Sequence, residues 1–266
     1  MRLCIPKNHI LFEDEKMKNY LLVHGAWGNA KEFDEVVTLL SANGNKVTAI
    51  DLPGHGESNE PVADVTMDAY VQRVIETIND IDEKVILVGH SLGGAIISQV
   101  AEAIPESIDR LIYVAGMLPK TGDTPLELMQ GDEDGELFSK IIFSDDQSYA
   151  TLTSDLVRNI LLHDVTDKAR LERLVPEFLM KQSTQPFMAS AQLSEEKFGS
   201  VDKYYIRASL DRVLSPSLQE KMISNWDVEK VYTLESGHFP LTSMADRLVE
   251  VINKASLLDR VEKEIN

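Results

Sequence analysis

The chain of 266 residues is long enough for one large α/β domain with an inserted cap, and its 43% hydrophobic and 26% charged residues are ordinary for a globular protein. The net charge of −18 argues against nucleic acid as a partner, because phosphates require a basic surface. No apolar run approaches the roughly 18 residues that a membrane helix needs, and the single cysteine, Cys4, fits a reducing compartment. We therefore expect a cytoplasmic monomer or homodimer that binds neither nucleic acid nor membrane.

Strands alternate with helices in the first part of the chain. Apolar runs predict buried strands at 18–23, 46–50, 84–89 and 110–116, and helical spacing of apolar residues predicts helices at 33–44, 68–81 and 92–104. Such alternation is typical of parallel βαβ units, so we predict an α/β fold with a doubly wound, mostly parallel sheet. Residues 1–17 are interpreted as an N-terminal extension, and removal of residues 1–16 should leave activity intact.

The alternation stops in the middle of the chain. Residues 118–198 carry only helical and acidic segments with scattered aromatics, whereas strands return at 203–208 and 230–234 before a terminal helix. An insertion of this length predicts a helical cap over the strand ends, where α/β folds keep their sites. The predicted units are a first core segment at 18–117, the cap at 118–198 and a second core segment at 199–266.

The sequence G-H-S-L-G-G at 89–94 satisfies the pattern G-x-S-x-G. It joins the most convincing predicted strand directly to a helix, which is the context of a nucleophile elbow. The positions two before and two after the serine must be small in such a turn, and Gly89 and Gly93 meet that requirement. Ser91 is therefore the candidate nucleophile, and an ordinary glycine-rich turn is the alternative.

A serine hydroxyl needs a base to take its proton. In the chain order serine, acid, histidine, the base follows the last strand, and His238 lies there. The other five histidines occupy less suitable positions. His9 lies in the extension, His163 lies in the predicted cap, and His90 should point away from the site. His55 suits a structural hydrogen bond, and His24 either lines the site or packs beneath the loop after the first strand.

The acid of such a triad should follow the penultimate strand. Asp211 comes just after the strand predicted at 203–208 and would hold the imidazole in the correct tautomer. Asp202 precedes that strand, and Asp227 follows the next helix, so both are expected at the opposite edge of the sheet. A strand-end turn carboxylate without a catalytic role is the alternative for Asp211.

An acyl-transfer site also needs donors for an oxyanion. The backbone N–H of Leu92, directly after the nucleophile, is one candidate, and the N–H of Ala26 is the other. Gly25 would let that backbone approach closely. No metal or organic cofactor is expected. The candidate pocket residues, for several of which simple packing is an alternative, are Gly25, Trp27, Phe138, Phe143, Phe187, Met188 and Phe239.

Taken together, these motifs resemble the α/β-hydrolase superfamily, and within it the group of plant methyl esterases, hydroxynitrile lyases and related bacterial esterases. The stretches that carry the resemblance are 21–27, 46–56, 84–94, 198–201, 205–212 and 231–238. The resemblance implies two discriminating positions, because the lyases carry Lys directly after the triad His and Thr at the position of Gly25. This chain has Phe239 and Gly25 there, as the esterases do.

The function expected from these observations is a serine carboxylesterase that hydrolyses small uncharged esters through Ser91, His238 and Asp211. Lyase-like chemistry and perhydrolysis on the same triad are alternatives. A small-molecule receptor on the same fold is another, although all three triad positions are filled. A nucleotide-dependent reductase is disfavoured because G-x-G-x-x-G is absent after the first strand, where Lys31 occupies the third glycine position.

Overall fold

Nine strands lie within the residues that the computed structural model describes, 17–58 and 60–257. Their bounds are β1 Asn19–Val23, β2 Lys46–Ile50, β3 Val85–His90, β4 Ile108–Val114, β5 Ile142–Phe143, β6 Tyr149–Thr151, β7 Gln182–Ser183, β8 Asp202–Ala208 and β9 Lys230–Leu234. Six of them form the central sheet in the order β2-β1-β3-β4-β8-β9. Every neighbouring pair in this sheet is parallel, as the alternating sequence predicts.

The helices between these strands are mostly amphipathic. The α-helices of the described residues are α1 Asp34–Ala42, α2 Met67–Asn79, α3 Leu92–Ala103, α4 Pro125–Gln130, α5 Ser154–Leu156, α6 Lys168–Leu174, α7 Gln185–Met188, α8 Pro216–Ile223, α9 Pro240–Ser243 and α10 Ala245–Leu257. Helix α2 shows how the sequence fixes such an element: the Thr66 side chain accepts the N–H of Ala69 at its start, and Tyr70, Val74 and Ile78 bury one face. No helix in the described segments is both long and apolar enough to cross a bilayer.

The sheet reverses its direction of growth at its first strand. The chain steps outward from β1 to β2 and then returns past β1 to β3. Since parallel crossovers are right-handed, α1 lies on one face, and α2 and α3 lie on the other. This reversal creates a crevice between the carboxyl ends of β1 and β3, which is where α/β folds bind their ligands.

Burial along the strands follows their place in the sheet. All six residues of β3 are buried, as expected of a central parallel strand covered on both faces. The edge strands β2 and β9 each carry exposed residues. The core strands and helices lie within two residues of the bounds predicted from periodicity. The extension assigned to residues 1–17 lies outside the described residues except for Met17, which is exposed.

The segment between β4 and β8 contains four short helices and, in addition, a small antiparallel sheet in the order β5-β6-β7. Phe143 pairs with Ala150, and Ala150 pairs with Gln182. These strands are two or three residues long, so they show no alternation that could reveal them in the sequence. The segment predicted as a helical cap thus contains a small sheet as well as helices.

Candidate active site

Ser91 occupies a strained turn between β3 and α3. Its backbone has φ +52° and ψ −123°, a region that side-chain-bearing residues rarely adopt. A Cβ on Gly89 would lie 2.7 Å from the carbonyl oxygen of Gly93, and one on Gly93 would lie 2.4 Å from that of Val23. Both positions therefore have to be glycine, as the G-x-S-x-G pattern requires. The turn places Ser91 at the amino end of α3, at the crevice beside β1.

Hydrogen bonds from neighbouring backbone hold this turn. The Ser91 N–H donates to the carbonyl of Val114 at 3.3 Å, and the Ser91 carbonyl accepts the N–H groups of Met117 at 2.8 Å and Gly94 at 3.0 Å. These bonds offset part of the strain in the backbone. The Ser91 residue is 8% exposed, so its hydroxyl reaches little solvent and depends on the protein for a proton acceptor.

Asp211 and His238 meet at the carboxyl ends of β8 and β9. The Nδ1 of His238 lies 2.7 Å from Oδ2 of Asp211, and both side chains are buried. The other carboxylate oxygen, Oδ1, accepts the N–H groups of Val213 at 2.7 Å and Leu214 at 3.1 Å. Because a carboxylate only accepts, the His238 Nδ1 carries the proton, and Nε2 is left free to act as a base.

The two rejected carboxylates lie away from this pair. Asp202 is the first residue of β8, and Asp227 precedes β9, so both mark the amino edge of the sheet. Asp211 follows β8 at the carboxyl edge, where Ser91 also lies. Topology therefore separates the candidate acid from its two competitors.

The loop after β1 lies directly against Ser91. A Cβ on Gly25 would lie 2.7 Å from the Cβ of Ser91 and 3.3 Å from its Oγ, so only glycine permits this approach. His24 lies beneath the loop: its Nδ1–H donates to the carbonyl of Gly25 at 2.8 Å, and its Nε2 accepts the N–H of Leu52 at 3.1 Å. Of the two roles open to His24, support of the loop is therefore the one observed.

Trp27 ties the same loop to the cap. Its backbone has a positive φ of 54°. Its N–H donates to Oε1 of Gln182 at 3.2 Å, and its indole N–H donates to the carbonyl of Ala150 at 3.1 Å. Gln182 is fully buried and also donates to the hydroxyl of Tyr70 at 3.1 Å. The sequence gives no signal for Gln182, because its partner lies 155 residues away along the chain.

One cavity adjoins Ser91, and a second cavity shares part of its lining. The inner one lies at Ser91 itself and is bounded by His238, Ala26 and Leu92 together with Trp27, Phe187, Phe239 and several aliphatic side chains. The outer one, of about 480 Å³, is lined by Trp27 and by residues of the cap segment 118–198. Its walls contain the predicted pocket residues Phe138, Phe143 and Met188, the last two partly exposed at the surface. Trp27, Met129 and Phe187 line both cavities, so they lie between the two. Gly25 lies beside Ser91 without lining either cavity.

Phe239, directly after the base, is 2% exposed and fixed by aromatic contacts. Its ring centroid lies 4.6 Å from that of His90 and 4.9 Å from that of Phe178, both edge to face. Because it also lines the inner cavity, Phe239 presents an apolar wall next to His238.

His90 lies outside the inner cavity and contacts both the backbone and the ring of His238. Its Nε2–H donates to the carbonyl of His238 at 2.9 Å, and the two ring centroids are 4.9 Å apart. Its Nδ1 lies 3.2 Å from Oε1 of the buried Glu32 side chain. His90 and Glu32 therefore fix the backbone of the base. The sequence around Glu32 carries no pattern that predicts an inward-facing carboxylate.

His55 has the structural role expected of it. Its Nε2 lies 3.0 Å from the hydroxyl of Tyr70, and its Nδ1 lies 3.0 Å from the carbonyl of Gly28. Burial lowers the pKa of His55 to about 3, so the imidazole is neutral at physiological pH. Within the described ranges, no group of three or more His, Cys, Asp or Glu side chains is arranged to hold a metal ion.

Ser91 follows β3, Asp211 follows β8 and His238 follows β9, so all three lie at the carboxyl edge of one parallel sheet. Residues 20–251 match a family model described as "Alpha/beta hydrolase family". The chain belongs to the alpha/beta hydrolase family. The match spans the elbow, both cavities and the Asp211–His238 pair, so the whole candidate site lies within this hydrolase fold.

This hydrolase is similar to plant proteins. It is similar to putative methylesterase 11, chloroplastic, of Arabidopsis thaliana, with 29% identity over 253 residues that cover 91% of this chain and 65% of the relative. It is also similar to an alpha-hydroxynitrile lyase of the same plant, with 29% identity over 255 residues that cover 90% of this chain and 97% of the relative. The two relatives carry different chemistries at equal identity, so identity alone does not choose between them.

Solved structures agree with the family assignment. A pyrethroid hydrolase from Sphingobium faniae JZ-2 superposes on this hydrolase with a TM-score of 0.79 and 28% identity, covering 90% of this chain and 96% of the other. Polyneuridine aldehyde esterase superposes with a TM-score of 0.80 at 22% identity, which establishes a common fold.

Proposed function

We propose that this hydrolase is a serine carboxylesterase acting on uncharged carboxylic esters. The observation that carries the proposal is the 2.7 Å contact between Asp211 and His238, beside a cavity that Ser91 and His238 both line. A buried imidazole with Nδ1–H donated to a carboxylate is the base that a serine nucleophile needs. The methylesterase and pyrethroid hydrolase relatives support the same reaction class.

The reaction follows from these roles. Ser91 Oγ attacks the ester carbonyl carbon while His238 Nε2 accepts its proton, and the N–H groups of Ala26 and Leu92 stabilise the oxyanion. Collapse of the tetrahedral intermediate expels the alcohol, which takes its proton from His238. Water then gives a proton to His238 and attacks the acyl-enzyme, and the departing Ser91 Oγ takes that proton from His238 as the acid is released. Asp211 offsets the imidazolium charge in both halves.

The two cavities support an ester with one small and one bulky apolar side. The inner cavity at Ser91 is narrow and has apolar walls apart from Ser91 and His238. The outer cavity of about 480 Å³ is within the usual size range of small-molecule sites, and the lining is mainly apolar. An anionic group in the bulky part would lose hydration and meet the like charge of Asp146, which lines that cavity, so esters without an anionic group are preferred.

Two positions argue against cyanohydrin cleavage. A cationic side chain that could stabilise departing cyanide is missing after the base, where the buried Phe239 stands. A threonine at position 25 would collide with Ser91, because even a Cβ there lies 2.7 Å from the Ser91 Cβ. Hydrolysis is therefore the chemistry that these residues favour.

A substrate panel tests the proposed function. We expect turnover of methyl and acetyl esters with a bulky apolar partner group, weaker turnover when that group carries a carboxylate, and no cleavage of mandelonitrile. Initial rates of the wild type and of Ser91→Ala across the panel give the comparison. Mandelonitrile cleavage faster than ester hydrolysis would reassign the site to a lyase, and a single turnover per molecule would favour a receptor.

The acid limb of the pH profile tests the base. Burial lowers the pKa of His238 from its ordinary value of 6.5, and the Asp211 carboxylate opposes part of that shift. The base works only when neutral, so activity falls as the pH drops through this lowered pKa. We expect the acid limb of kcat/KM to have its midpoint below pH 6.5. A flat acid limb, or a midpoint above 6.5, would contradict the assignment of His238.

A further inference from the structure

Two adjacent cap residues contact both loops that carry the candidate acid and base. His163 and Asp164 come directly after the π-helical turn Val157–Leu161 and the residue that follows it. The Nε2–H of His163 donates to the carbonyl of Leu210 at 2.9 Å. The carboxylate of Asp164 accepts the N–H of Gly237 at 2.7 Å. Leu210 and Gly237 each come immediately before a candidate triad residue.

These contacts begin where the backbone ladder between the two loops ends. Beyond β8 and β9, the N–H of Ser209 donates to the carbonyl of Leu234, and the N–H of Leu210 donates to that of Ser236, both at 2.9 Å. The next link between the loops is the side-chain contact of His238 with Asp211. His163 and Asp164 bridge the two loops at this point, beyond the last main-chain hydrogen bond between them.

The lack of a side chain at Gly237 permits this contact. A Cβ at this position would lie 2.7 Å from Oδ1 of Asp164 and 2.8 Å from Nε2 of His163, so a side chain would push the dipeptide away. The same Oδ1 is buried and has no hydrogen-bond partner among the described residues. A buried carboxylate oxygen without a hydrogen bond costs free energy of folding. We therefore interpret the contact with Gly237 as functional and not as simple packing.

We propose that His163 and Asp164 are positioning residues, which fix the separation of the Asp211 and His238 loops so that the acid and the base stay paired. The proposal rests on the proposed function, because it assigns these residues a role in the same reaction. Neither residue lines the inner or the outer cavity. Their loss therefore affects the chemical step and not the binding of substrate.

The position of Leu161 links the His163–Asp164 pair to the inner cavity. Leu161 lines the inner cavity beside Ser91 and lies two residues before His163 in the same cap segment. Substrate in the inner cavity thus touches the segment that aligns the acid and the base. The cap accordingly has a part in organising the catalytic groups as well as in covering them.

Pairs of variants at each position separate hydrogen bonding from bulk. His163→Gln keeps a donor and Asp164→Asn keeps an acceptor, whereas His163→Leu and Asp164→Leu remove them. We expect kcat to fall about 10- to 100-fold in the Leu variants, as displacement of a catalytic group by about 1 Å produces, with KM unchanged. The Gln and Asn variants should retain most of the wild-type kcat. Asp155→Leu is the control, because Asp155 is a cap carboxylate that forms an ion pair with Arg158 at 3.6 Å.

Two further measurements do not depend on the choice of ester. The downfield proton resonance of His238 Nδ1–H should be lost or shifted in the Leu variants and kept in the Gln, Asn and control variants. The rate of Ser91 labelling by a fluorophosphonate should fall in parallel with kcat, and the melting temperature reports any loss of fold. Leu variants with unchanged kcat and resonance would overturn the proposal, as would Gln and Asn variants as impaired as the Leu variants. If the wild type shows no Ser91-dependent ester turnover, the proposed function is contradicted. The His238 Nδ1–H resonance would still test the positioning role of His163 and Asp164.

Discussion

Replacing Ser91 with alanine should reduce ester turnover by about 10⁶-fold, the loss typical of removing a serine nucleophile. The side chain supplies the attacking oxygen, and no other described hydroxyl lines the inner cavity. The measurement is kcat on the best ester of the panel, with protein folding checked by circular dichroism. Turnover within about tenfold of the wild type would remove Ser91 from the mechanism.

Ser91→Gly provides a control that follows from the backbone. The φ of +52° and ψ of −123° at Ser91 are strained for any residue with a Cβ, at about 1–3 kcal/mol, but are accessible to glycine. Both variants should be inactive, while Ser91→Gly should be more stable than Ser91→Ala by about 1 kcal/mol, after glycine's greater loss of chain entropy. Urea unfolding measures the difference. Equal stability would argue that this turn carries no strain.

Asp211→Asn should lower kcat by about 10⁴-fold with little change in KM. The N–H groups of Val213 and Leu214 both donate to Oδ1, so an asparagine has to keep its oxygen there and turn its NH₂ toward His238. That NH₂ requires Nδ1 to accept, which moves the imidazole proton to Nε2 and prevents it from taking the proton of Ser91. The effect is therefore a wrong tautomer and not a lost charge alone.

Asp202→Asn is the matched control for this prediction. Asp202 begins β8, and Asp211 follows the end of the same strand, so the two variants test opposite edges of one element. Turnover by Asp202→Asn should stay close to that of the wild type. If Asp202→Asn is the more damaging change, the acid is misassigned.

Much of the fold is predictable from the sequence, because local patterns report burial directly. The apolar run of β3 and the glycines around Ser91 define a strand, a turn and a helix from consecutive residues. Topology then extends the prediction: parallel strands end at one edge, so residues after β8 and β9 must come near the elbow even though Asp211 and His238 are 27 residues apart.

The supporting contacts of the site are not predictable in this way. Gln182 meets Trp27 across 155 residues of chain, and Asp164 meets Gly237 across 73. Neither contact belongs to a repeating pattern, since the cap strands are only two or three residues long and the dipeptide follows an irregular turn. Such contacts depend on how the cap folds back onto the core, which periodicity does not specify.

The bonds from Trp27 to the cap have a consequence for engineering. The loop that carries Ala26 is held on one side by the core, through His24, and on the other by Gln182 and Ala150 of the cap. A cap transplanted from a relative to change substrate preference would remove acceptors on which that loop depends. Productive chimeras should therefore retain β6 and β7 of this chain and exchange only the helices around the outer cavity.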